Sequence, residues 1–100
     1  MIRHVVMWTF AAEAGGADRA ANVARARAEL AQLDGLVPGM HNLEVVAATE
    51  HLEHTHDLLL VADFDTEAAL KAYSTHPRHV AVASFIAEVR TGRACFDYET

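Results

Sequence analysis

A phenol and two imidazoles fall within seven residues of one another in Tyr73-Ser74-Thr75-His76-Pro77-Arg78-His79. An imidazole titrates near neutral pH and can carry a proton in either direction, while a phenol can donate a hydrogen bond to an oxygen that gains charge, such as an enolate. The backbone around them is predictable. A residue that precedes proline is pushed out of the helical region, and proline suits the first position of a new helix. His76 is therefore expected to be extended, near the N-cap of a helix that starts at Pro77. His79 should lie one turn inside that helix, with Tyr73 delivered from the helix before it. The pair of imidazoles would then bracket a helix N-terminus, a corner able to hold an anion or a polarised carbonyl. The plainer alternative is a turn with a capping residue and a half-buried tyrosine.

A fourth group, His4, lies in Ile2–Phe10, where almost every residue on both alternating faces is apolar. That pattern predicts a strand covered on two sides. A buried imidazole needs a partner for each nitrogen that does not meet water, so His4 is either a core histidine bonded to backbone or a group reaching a pocket. A different set, His51, His54 and His56, has spacing that superficially resembles metal ligands. No cysteine or close carboxylate pair completes it, so we expect solvated loop residues and assign no metal.

The elements that must position these groups can be read in order. After a loop with two glycines, Asp18 caps an alanine-rich helix running to Leu33, with Val23, Ala26, Leu30 and Leu33 at helical spacing. Asp34-Gly35 stops it, and Val37-Pro38-Gly39 makes a turn. Leu43 to Ala48 and Asp57 to Phe64 read as two strands of a long antiparallel hairpin tipped by the three histidines. Asp65-Thr66-Glu67 opens the Tyr73 helix with a capping residue and an acid. In the helix from Pro77, Val80, Ala83 and Ile86, with Val82, Phe85 and Val89, give a broad apolar face. Arg90-Thr91-Gly92 should end it, and Arg93 to Tyr98 alternates as a last strand.

The order is β-α-β-β-α(α)-β. Its economical solution is an α+β, ferredoxin-like four-stranded antiparallel sheet with helices on one face. Residues 1–100 make one domain, since this length supports a single modest core. Helices on one face cannot cover strands that are apolar on both. We therefore expect a homodimer, two sheets closing face to face as a dimeric α/β barrel with a small-molecule pocket inside.

Composition narrows the class. The net charge is −6 with histidines neutral, and the eight Lys and Arg are scattered, which argues against a nucleic-acid partner. Cys95 is the one cysteine, so no disulfide framework exists, and no apolar run suggests a membrane span or a secretion signal. The expectation is a cytoplasmic protein without a cofactor.

Five stretches together carry a resemblance: Ile2-Arg3-His4-Val5-Val6, Val37-Pro38-Gly39, the run from His56 to Phe64, Tyr73-x-x-His76-Pro77-x-His79-Val80, and Phe96-Asp97-Tyr98. With them the whole chain resembles the stress-responsive dimeric α/β-barrel (Dabb) family. The resemblance implies a ferredoxin-like protomer and an obligate dimer, with a divalent ion near the dimer contact in some relatives. The plant cyclase of that family that forms olivetolic acid is similar at the early histidine and at Tyr-x-x-His-Pro-x-His. It closes a linear poly-β-keto thioester by an intramolecular aldol condensation. Carried over, His79 would be the general base, Tyr73 would orient or polarise a carbonyl oxygen, and His4 would support them. His76 and Trp8 would be pocket-supporting, and the ligand would be small and hydrophobic or polyketide-like. That cyclase has a further histidine where this chain has Leu58. The family name suggests a second function, a non-catalytic dimer that binds a ligand or protects proteins under stress.

Overall fold

In the computed structural model, which describes residues 1–100, alternation along β1 (Ile2–Phe10) sorts the strand cleanly. His4, Val6, Trp8 and Phe10 are buried on one face, while Arg3, Val5, Met7 and Thr9 are half-buried on the other. A two-residue hairpin follows, β2 (Glu13–Ala14) and β3 (Ala17–Asp18), where only a loop was expected. Gly15 and Gly16 have φ of +60° and +82°, the paired left-handed conformation that a tight hairpin turn needs. Asp18 caps α1 (Arg19–Ala31), its carboxylate accepting from the Ala21 N–H at 2.8 Å. The buried stripe of α1 is Asn22, Ala26 and Leu30. Val23 is displaced to its edge because the Asn22 amide donates to the Ala14 and Ala17 carbonyls, clamping the small hairpin onto the helix.

β4 (Met40–Ala47) begins three residues before the expected Leu43, across an irregularity in which Asn42 takes φ +55°. β5 (Leu58–Phe64) buries Leu58, Leu60, Ala62 and Phe64. Thr66 caps α2 (Glu67–Thr75) through its hydroxyl to the Ala69 N–H at 3.1 Å. α3 (Pro77–Val89) buries Val82, Ile86 and Val89. Val80, expected in the apolar face, is instead 49% exposed. β6 (Arg90–Glu99) starts at once, three residues earlier than expected, because the Thr9/Phe10 bulge lets Arg90 pair with Phe10.

The sheet order is β4-β5-β1-β6, all pairs antiparallel, with the helices on one face. This is the expected ferredoxin-like α+β arrangement. The core fills the space under the helices, centred on Phe10, Phe64, Leu33, Leu60 and Tyr73. The opposite face is not covered within the protomer: Val5, Met7, Leu59 and Val61 are half-buried there, and Val46, Phe96 and Tyr98 are exposed. Asp63 is buried on that face, held by Arg3 Nε at 2.8 Å and Asn42 Nδ2 at 3.1 Å. These two donors hold its carboxyl below the usual carboxylate range. No helix is long and apolar enough to cross a membrane.

The three hairpin histidines sit in the loop between β4 and β5 rather than on a strand face. His54 Nδ1 meets the Leu52 carbonyl at 2.7 Å and His56 Nδ1 meets the Thr55 hydroxyl at 2.8 Å, both local contacts. Changing all three to alanine should leave stability within about 0.5 kcal/mol per site at neutral pH. A larger drop in a denaturant melt, or zinc retained by the wild type and lost by the variant, would show a structural or metal role.

Candidate functional site

The backbone corner around Pro77 forms as its local chemistry dictates. His76 is extended, with φ −62° and ψ 135°, ends α2 and caps α3, and Pro77 takes the first helical position. The cap consumes the His76 ring: Nδ1 accepts the Arg78 N–H at 3.1 Å. His76 does not line the cavity described below, contrary to its expected pocket-supporting place, because a side chain folded back on its own helix terminus cannot also reach across the sheet.

Tyr73 and His79 do meet. Their ring centroids are 4.6 Å apart, and the His4 ring stands 6.4 Å from Tyr73. All three line a cavity of about 140 Å³ between the sheet and the helices, with Trp8, Val6, Leu60 and Ile86 among its apolar walls. The cavity lies within one protomer. The pleat sends His4, Val6 and Trp8 to the side where α2 and α3 pack, so this cavity is separate from the pocket expected between two sheets, which would lie on the open face.

Tyr73 is 1% exposed and its hydroxyl has no hydrogen-bond partner among the protein groups. A half-buried ring with a wet hydroxyl was the plainer expectation, and a buried hydroxyl left unpaired costs about 1–3 kcal/mol. Burial also pushes the phenol up to about 12, so it stays a proton donor throughout the neutral range.

His79 is half-buried, and its Nδ1 lies 3.0 Å from the Ser74 carbonyl. A carbonyl can only accept, so Nδ1 carries the proton and Nε2 of the neutral ring keeps its lone pair. Burial, with smaller contributions from His4 and Arg93, moves the His79 pKa below its ordinary 6.5, against the opposing pull of the Ser74 carbonyl. Desolvation is thus the main cause that favours the neutral ring.

His4 resolves to neither of its expected roles alone. Its Nδ1 meets Asp97 Oδ1 at 2.5 Å across the β1–β6 pairing, so its partner is a carboxylate, not backbone, while the ring still lines the cavity. Asp97 also accepts the Cys95 thiol at 3.5 Å. His4, Cys95 and Asp97 bring three metal-type donor atoms within 4.8 Å of one another, but the carboxylate is engaged by both neighbours. Burial and Asp97 together raise the Cys95 pKa, which disfavours the thiolate a metal would take.

Three lining or supporting residues escaped the sequence reading: Asp97, Arg90 and Arg93. Alternation put Arg93, Cys95 and Asp97 on one face of the last strand, but no local signal sets the register that places Asp97 opposite His4 and Arg93 opposite Trp8.

Solved structures share this architecture. A dimeric protein of unknown function with a ferredoxin-like fold from Bacteroides fragilis is 26% identical, with a TM-score of 0.84 over 99% of this chain and 95% of that one. A dimeric ferredoxin-like protein of unknown function from Thermobifida fusca is 24% identical, with a TM-score of 0.84 over 99% and 90%. A Dabb family protein from Mesorhizobium loti is 21% identical, with a TM-score of 0.75 over 99% and 95%. No curated protein matches the chain. The model of the stress responsive A/B barrel domain matches residues 2–100, and with the sheet order and helix placement already described, this chain belongs to that family, Dabb.

Proposed function

We propose that the cavity is a proton-transfer site for an enolisable carbonyl compound, in an enzyme of polyketide cyclase or isomerase type. The observation that carries this reading is the buried, unpartnered Tyr73 hydroxyl beside His79. Folding leaves a donor unsatisfied next to a base, which is costly unless a ligand oxygen completes it. His79 Nε2 takes the proton α to the carbonyl, Tyr73 O–H donates to the oxygen as enolate charge grows, and the resulting imidazolium returns the proton to the new carbon or oxygen. His4 acts as a supporting hydrogen-bonding group oriented by Asp97. The electron pair moves from the C–H bond into the enolate and then to the carbon–carbon bond or back to carbon, so no redox partner is needed. The olivetolic acid cyclase likeness at these residues supports the same assignment.

Substrate-independent proton exchange tests it. In heavy water the protein should accelerate loss of the α-proton NMR signal of a small neutral 1,3-diketone over a matched buffer control. No acceleration with any of several such diketones would favour the non-catalytic ligand-binding or protein-protecting dimer instead.

We also propose that the chain functions as a homodimer closed through its open sheet face, consistent with the dimeric relatives. Val46 and Phe96, 43% and 71% exposed, would be covered in it. Folding is then linked to association, so the melting temperature should rise with protein concentration. A concentration-independent melt, together with a compact monomer in sedimentation at low micromolar concentration, would exclude this assembly.

A further inference from the structure

The arginines of this acidic chain divide into two groups. Five of the seven are tied to protein acceptors: Arg3 to Asp63, Arg19 to the Phe10 carbonyl, Arg25 to Glu29, Arg27 to the Val45 carbonyl and Arg78 to the Gln32 carbonyl. The other two, Arg90 and Arg93, have no carboxylate or carbonyl partner, and both line the cavity. Their position follows from the chain path. His79, Ala83, Ile86 and Arg90 run from the start of α3 to just past its end along the cavity. Arg93 stands opposite Trp8, while Asp97 stands opposite His4. The cavity therefore has a proton-handling end, with His4, Tyr73 and His79, and a cationic end, where Arg93 acts on both the Cys95 thiol and the His79 ring.

Size limits what fits between the two ends. An engineered apolar cavity of about 150 Å³ in another protein holds one benzene, and this one is about 140 Å³. A single ring, or an acyl body equally compact, fills it. Resting on the proton-transfer reading above, we infer that the ligand is a compact one-ring or ring-forming carbonyl compound bearing an oxyanion, a carboxylate or a phosphate ester, which Arg90 and Arg93 receive while its carbonyl end meets Tyr73 and His79. A guanidinium fork matches either oxyanion in a two-pronged contact and cannot lose its charge near neutral pH. A buried donor without a protein partner at one end and cations without a carboxylate or carbonyl partner at the other are independent signs of one ligand with two polar ends.

Calorimetric titration of the full chain with benzoate, phenyl phosphate and neutral benzamide tests the inference. At least one anion should bind about tenfold or more tightly than benzamide, and added salt should narrow the gap. The tighter anion identifies which oxyanion the site takes. The double variant Arg90→Gln/Arg93→Gln should erase the preference, bringing benzoate and phenyl phosphate to the affinity of benzamide, whereas Arg90→Lys/Arg93→Lys should retain part of it. Both arginines are exposed and pair with no carboxylate or carbonyl, so the variants should melt as the wild type does. Equal binding of all three probes, or a preference that survives the glutamine variant, overturns the inference. The neutral-diketone exchange assay needs no arginine, so His79-dependent exchange without anion preference removes this inference alone. No binding by any probe, with no exchange, removes both.

Discussion

His79→Ala should lower the rate of diketone proton exchange by about 10²–10⁴, the usual contribution of a positioned general base. Its effect on stability should be small, because the ring is half-buried on the first turn of α3 and its one hydrogen bond to protein is with the Ser74 carbonyl. The pH profile adds a second readout. A base must be unprotonated, and burial lowers the His79 pKa from 6.5, so the wild-type rate should fall with acid only below that value. Stability follows the same sign. Between the lowered folded pKa and the unfolded 6.5, the unfolded chain binds more protons than the native one, so stability rises with pH across that window. His79→Ala should flatten that rise. A variant that keeps wild-type exchange, or one that loses it only because the melting temperature collapses, would refute the assignment of His79 as base.

Tyr73→Phe should move activity and stability in opposite directions. Removing a hydrogen-bond donor aimed at a developing oxyanion costs about 10²–10³ in rate. Removing a buried hydroxyl that has no partner relieves a desolvation penalty, so stability should rise by about 1 kcal/mol, a gain of roughly 4 °C for a domain of this size. The ring remains to pack on Phe64, whose centroid is 5.3 Å away, so no cavity offsets the gain. A residue kept for structure would behave differently, with the phenylalanine variant neutral or less stable and exchange unaltered. Melting and exchange measured on one preparation separate the two outcomes.

What could be read from the residues themselves was whatever local chemistry decides. Asp18 and Thr66 cap helices because their side chains satisfy N–H groups three residues on. His76 and Pro77 break one helix and start another because proline restricts its neighbour. Apolar residues on both faces of Ile2–Phe10 and the apolar run in Asp57 to Phe64 reported strands with two faces to cover, and one-sided helices implied a sheet face left open, as Val46 and Phe96 are. With these boundaries the element order and the ferredoxin-like fold were legible, and so was the meeting of His4, Tyr73 and His79. Tertiary structure decided the rest because register and layer are not local properties. The choice of pleat face put the His4, Tyr73 and His79 cavity under the helices of one protomer, since a one-residue slip would send His4 to the opposite side. Pairing of β1 with β6, two ends of the chain, supplied Asp97 to His4 and Arg93 to the wall beside Trp8. The same closure buried the Tyr73 hydroxyl without a partner, because whether a polar atom finds one depends on every element packed around it.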